Sequence, residues 1–202
     1  LDKARASFDE LRQSPKSDAM VKERAHYQSI ILAMDQQRWN DVQALTASFQ
    51  TSFPVSELRP YVKYCSLEAQ LADPTVSADQ LATAVQRIDE QIQPPNPVPT
   101  PAWYPRLWIL LAETRFRQKN YDGVEQAVAD LRTRLPHNTM LYQAEEVLGR
   151  SYKQQAQFDK ARAAFARVII DPAAFRTETA AKSQFLIAET YFLQEKWPDA
   201  FK

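Results

Sequence analysis

Glycine is almost missing from this chain: Gly123 and Gly149 are the only two in 202 residues. Average usage is roughly 7%, so phosphate-cradling glycine loops and tight two-residue hairpins have nothing to be built from. One cysteine, Cys65, excludes an intrachain disulfide and any zinc-type cysteine spacing. Two histidines, His26 and His137, stand far apart in sequence with no metal-binding spacing around either. His26 is expected to be a half-buried packing residue and His137 a loop residue. No serine occupies a Gly-x-Ser-x-Gly elbow. The chain is therefore read as non-enzymatic, with no cofactor and no metal.

Charge of one sign is also missing. Lysine plus arginine and aspartate plus glutamate number 25 each, giving a net charge of zero. Nucleic-acid binders carry a basic excess or stripe, so nucleic acid is not an expected partner. No run of about 18 apolar residues exists to span a bilayer. No basic start followed by an apolar run opens the chain, which says nothing of what precedes residue 1.

What remains is rich in alanine, glutamine, leucine, arginine, lysine and glutamate, all helix formers. Prolines recur at Pro15, Pro54, Pro94/Pro95, Pro136 and Pro172, spaced by about 36 to 42 residues, and each ends a unit because proline cannot continue a helix. An aromatic follows a polar turn at Trp39, Tyr121, Phe158 and Trp197, each three residues after a glutamine. Apolar periodicity predicts a lone helix at 1–13 and helix pairs at 18–36/40–51, 57–72/78–92, 103–118/121–134 and 140–154/158–169. A further helix at 178–194 follows, then the start of another from Pro198, which suits a first helical position. The heptapeptide Asp159-Lys160-Ala161-Arg162-Ala163-Ala164-Phe165 nearly repeats Asp2-Lys3-Ala4-Arg5-Ala6-Ser7-Phe8. Such reuse at fixed phase is the mark of a repeat stack. The second unit is irregular: Asp73–Ser77 lengthens its inner turn, and residues 94–101 predict a polyproline-like strap, read also as a candidate ligand for a proline-binding module or a boundary between sub-stacks.

Leu148-Gly149-x-x-Tyr152 followed by Ala161-x-x-x-Phe165 and Pro172 resembles the tetratricopeptide repeat consensus. Trp108, Leu111, Ala112 and Pro136, then Ala188, Tyr191 and Ala200, and Trp39 with Pro54 match it more loosely. Arg115 stands where that family usually has an aromatic, and Ile30 where it has a small residue. The resemblance implies an all-α fold over residues 1–202, a right-handed superhelix of antiparallel helix pairs with incomplete repeats at both ends. It also implies that Gly149 and Ala161 let paired helices approach while Leu148, Tyr152 and Phe165 fill the seams. The segment 179–192 is also similar to repeats of large bacterial envelope and scaffold proteins, which implies an envelope location.

In that family the first helix of each pair lines a concave wall. The face opposite the core stripe comprises Arg24, Tyr27, Ile31 and Met34; Arg106, Ile109, Glu113 and Phe116; Gln143, Glu146, Arg150 and Lys153; Lys182, Phe185, Glu189 and Phe192. The adjacent pair Glu145-Glu146 is read as solvated. The resemblance implies a scaffold that binds a protein or peptide segment in this groove. The lysine–asparagine–arginine clamp that one subfamily uses on acidic chaperone tails is absent, since Ile109, Glu113, Tyr27 and Ile31 fill its places. A second reading makes the repeats a structural accessory that positions a catalytic or secretion-complex domain outside these residues. Phe8, Leu11, Trp197 and Phe201 are expected to be left uncapped, favouring either a longer protein or self-association.

Overall fold

The computed structural model describes residues 2–200, and those residues form eleven α-helices, one short 3-10 turn and no strand. The helices are α1 (Asp2–Gln13), α2 (Ala19–Asp35), α3 (Trp39–Ser52), α4 (Arg59–Leu71), α5 (Ala78–Gln91), α6 (Arg106–Arg117), α7 (Tyr121–Arg134), α8 (Leu141–Gln154), α9 (Phe158–Ile170), α10 (Glu178–Leu193) and α11 (Trp197–Ala200). Leu1 and Phe201, expected at the first helix start and the last uncapped end, lie outside the described residues. The chain forms two compact units that divide between Gln80 and Leu81.

Helix starts follow capping chemistry. The Asp18 carboxylate accepts from Val21 N at 2.8 Å, Asn120 from Gly123 N at 3.0 Å, and Thr177 from Ala180 N at 3.2 Å. Each satisfies one of the four N–H groups a helix leaves orphaned. Asp41, Asp122 and Asp159 then place negative charge in the first turns of α3, α7 and α9, where the helix dipole favours it. Arg106, not residue 103, opens α6, because Ala102–Pro105 run through turns instead.

The glutamine-x-x-aromatic signature closes each regular hairpin in one way. Gln37, Lys119, Ala156 and Glu195 adopt φ of 54°, 58°, 56° and 58°. Each N–H bonds back three residues, to Met34, Phe116, Lys153 and Phe192. The next residue's N–H bonds back five, to Ala33, Arg115, Tyr152 and Tyr191, at 2.9–3.0 Å. This is the Schellman arrangement, and it recurs here without glycine. It sets an internal register in which Met34, Phe116, Lys153 and Phe192 are equivalent, as are Ala33, Arg115, Tyr152 and Tyr191.

In the first unit α2 touches α1, α3 and α4, and Ile30, Ala33, Val42, Phe49, Val62 and Cys65 are sealed from solvent between them. In the second, α8 touches α6, α7, α9 and α10. Gly149 lies against Phe165: a Cβ there would come within 2.6 Å of Cδ1 and 2.8 Å of Cζ, so only glycine admits the ring. Arg115, at the aromatic's place, is accommodated by the other glycine. Its Nη1 donates to Gly123 O at 2.9 Å, and a Gly123 Cβ would stand 2.8 Å from its Cδ.

Two expectations are corrected. Residues 94–101 do not form one extended polyproline helix: the chain bends at 94–95 and 98–99. Arg134, on α7, ties that strap down by donating to Ile92 O at 2.6 Å and to Asn96 Oδ1, while its guanidinium lies 4.9 Å from the Trp108 ring centre. Glu145 and Glu146 are not solvated; they are 3% and 5% exposed. Adjacent positions on a helix point about 100° apart, so each carboxylate enters a different seam. Glu145 accepts from Arg132 Nε at 2.7 Å and Arg167 Nε at 3.0 Å, while Glu146 turns toward α10.

Candidate interaction surface

α6, α8 and α10 touch in sequence, so their outward faces adjoin. The internal register aligns Ile109, Glu146 and Phe185 as one row, Glu113, Arg150 and Glu189 as a second, and Phe116, Lys153 and Phe192 as a third. An ionic ladder crosses the three helices. Arg150 bonds Glu113 of α6 and, at 3.0 Å, Glu146 of its own helix. Lys182 of α10 reaches the same Glu146 at 2.8 Å, and Lys153 reaches Glu189 at 2.5 Å. Pairing is what permits Glu146 to be buried, because an unpaired buried carboxylate is expensive. Its burial depends on Arg150 and Lys182.

A cavity of about 270 Å³ opens on this face, lined by Ile109, Glu113, Glu146, Val147, Glu178 and Lys182 among others. The aromatic residues behave unequally. Phe116 is half-buried, with the Arg150 guanidinium 4.8 Å from its ring centre and Tyr121 tilted against it at 6.3 Å. Phe185 and Phe192 are 69% and 54% exposed, and Phe192 meets Trp197 edge-on at 4.7 Å. Arg106 is exposed at the start of α6. Thus Ile109, Glu113, Phe116, Arg150, Lys153, Phe185, Glu189 and Phe192 share one surface, with most of its charge spent internally.

Tyr27, Ile31 and Met34 are half-buried on α2 in the first unit. Tyr27 tilts against Tyr61 at 5.8 Å, and burial raises its hydroxyl above the ordinary pKa. Exposed Arg24 starts that row.

Elsewhere, His26 is 4% exposed and packed edge-on against Phe49 and Phe53 at 5.4 and 5.9 Å. It is more deeply buried than the sequence implied. Its Nε2–H donates to Leu45 O at 3.0 Å. His137 is exposed in the loop before α8. Cys65 is buried and takes part in no disulfide. Sequence reasoning missed Arg132, Arg167 and Arg134, whose roles depend on partners in other helices. Among the described residues no His/Cys/Asp/Glu group is placed to hold a metal ion, and no helix is long and apolar enough to cross a membrane. No family model, no curated protein and no solved structure matches this chain.

Proposed function

We propose that this chain is a non-catalytic scaffold of tetratricopeptide-like hairpins, wound as a right-handed superhelix, that holds an apolar, helical protein segment against α6, α8 and α10. The observation that carries the reading is the pair Phe185 and Phe192, both exposed and seven residues apart on α10. Two turns of helix separate them by about 10 Å, the spacing of i and i+7 anchors on an incoming helix. Covering each ring contributes about 1.5–3 kcal/mol, enough together to support micromolar binding after ordering costs.

The Phe185→Ser/Phe192→Ser double variant tests this better than charge reversal, because Arg150 and Lys153 also hold the seams between helices. Affinity capture with mass spectrometry is expected to recover a partner on the native chain and lose it on the double variant. Calorimetry with the recovered segment should show the same loss, with unchanged circular dichroism. Equal affinity for both chains overturns the proposal.

A further inference from the structure

The heptapeptide that opens both α1 and α9 meets two fates. On α9, Ala161, Ala164, Phe165 and Val168 are wholly buried, and Gly149 of α8 receives the Phe165 ring. Their equivalents on α1 are Ala4, Ser7, Phe8 and Leu11. Ala4 and Ser7 are exposed, Phe8 is half-buried and Leu11 is 41% exposed. The following neighbour is the same in both places, since α2 packs on α1 as α10 packs on α9. What α1 lacks among the described residues is a counterpart of α8.

The bare stripe of α1 is therefore shaped for a helix of the α8 kind, and α10 is one. Its hairpin register sets Ile187, Ala188 and Tyr191 at the places of Leu148, Gly149 and Tyr152. α8 receives the 13 residues of α9, and its three positions are buried. α10 receives the 4 residues of α11, and its three positions are only half-buried. The rim agrees. Lys160 of α9 lies 5.3 Å from the Tyr152 ring centre. At the place of Lys160, α11 carries Asp199 and α1 carries Lys3. A cation over a tyrosine face is favourable, so α1 suits Tyr191 better than α11 does.

We propose that copies of this chain join head to tail, α1 of one copy seating on α10 of the next in place of Trp197–Ala200. One turn of helix has little hold of its own and yields to a helix of 12 residues. Ala4, Ser7, Phe8 and Leu11 then face Ile187, Ala188 and Tyr191. The contact joins two different faces, so each joined pair keeps one of each open and the assembly propagates. It uses another stripe of α10 than Phe185 and Phe192, and so stands or falls independently of the surface on α6, α8 and α10. One misfit limits it: Ala188 puts a methyl where Gly149 leaves a notch for the ring.

The test is sedimentation of the whole chain at rising concentration. Average mass is expected to grow without stopping at two copies. Ala4→Glu, at a position exposed in the single chain, should return it to one-chain mass with unchanged circular dichroism. Ala188→Gly restores the notch and should tighten association by about tenfold, the worth of relieving an overpacked contact. Its cost to the helix falls on free and joined chains alike. Ile187→Glu closes the other face; mixed with Ala4→Glu it should give a one-to-one pair and nothing larger, because each chain supplies the face the other has lost. Ala188→Gly keeps the α10 side decisive where the glutamate disturbs folding. Phe185→Ser should leave the growth unchanged. One-chain mass at every concentration, a closed pair of native copies, growth that persists in Ala4→Glu, or growth lost in Phe185→Ser overturns the proposal.

Discussion

Gly149 and Phe165 fit as notch and ring: the glycine's missing side chain is the space the phenylalanine fills, and the ring is wholly buried. Gly149→Ala gains up to about 1 kcal/mol of helix propensity but forces the ring aside, so a net destabilisation of about 1–2 kcal/mol is expected. Adding Phe165→Leu should recover part of that loss, because the smaller side chain frees the notch. A double-mutant cycle from urea unfolding reads the coupling directly, and strict additivity would refute the contact.

His26 makes stability depend on pH. Burial, with Arg12 adding repulsion, lowers its pKa from 6.5 to about 4 against the opposing pull of the Leu45 carbonyl. A folded-state value below the unfolded one means the unfolded chain takes up the proton first. The native state therefore keeps this group's full contribution above about pH 6.5 and loses it progressively down to about pH 4. The loss is about 2–3 kcal/mol. Urea midpoints across that window should fall for the native chain. His26→Leu should flatten this component, and an undiminished slope in that variant would count against it.

Arg134 holds the 94–101 strap from below. Arg134→Ala removes the donors to Ile92 and Asn96 and is expected to cost about 1–3 kcal/mol. Amide exchange and protease nicking should rise within residues 93–101 before any change in α8 or α9. Arg134→Lys should rescue only part, since one ammonium cannot reach both acceptors and also cover Trp108. Uniform loosening of the whole second unit would contradict this local role.

Helix positions were legible because they are local. Prolines, the glutamine-x-x-aromatic turns and apolar periodicity each act within a few residues, and the observed helix ends fall close to where those signals put them. Gly149 was legible too, as a small residue beside aromatic ones. The fates of Glu145 and Glu146 were not. Burying them depends on Arg132, Arg167 and Lys182, which come from α7, α9 and α10. A composition of equal charges cannot tell a solvated face from a sealed ion pair. In the strap, eight residues rich in proline suggested extension, whereas tethering by Arg134 accompanies a bent course.

The ladder running Glu113–Arg150–Glu146–Lys182 leaves that wall electrically self-contained. A visiting chain gains little from bringing charge there, since each new attraction requires undoing one already made. Long-range electrostatic steering would be weak, and raising ionic strength should barely loosen a bound guest. Discrimination among guests then falls to contour and greasy contact, a mode suited to recognising shape over composition.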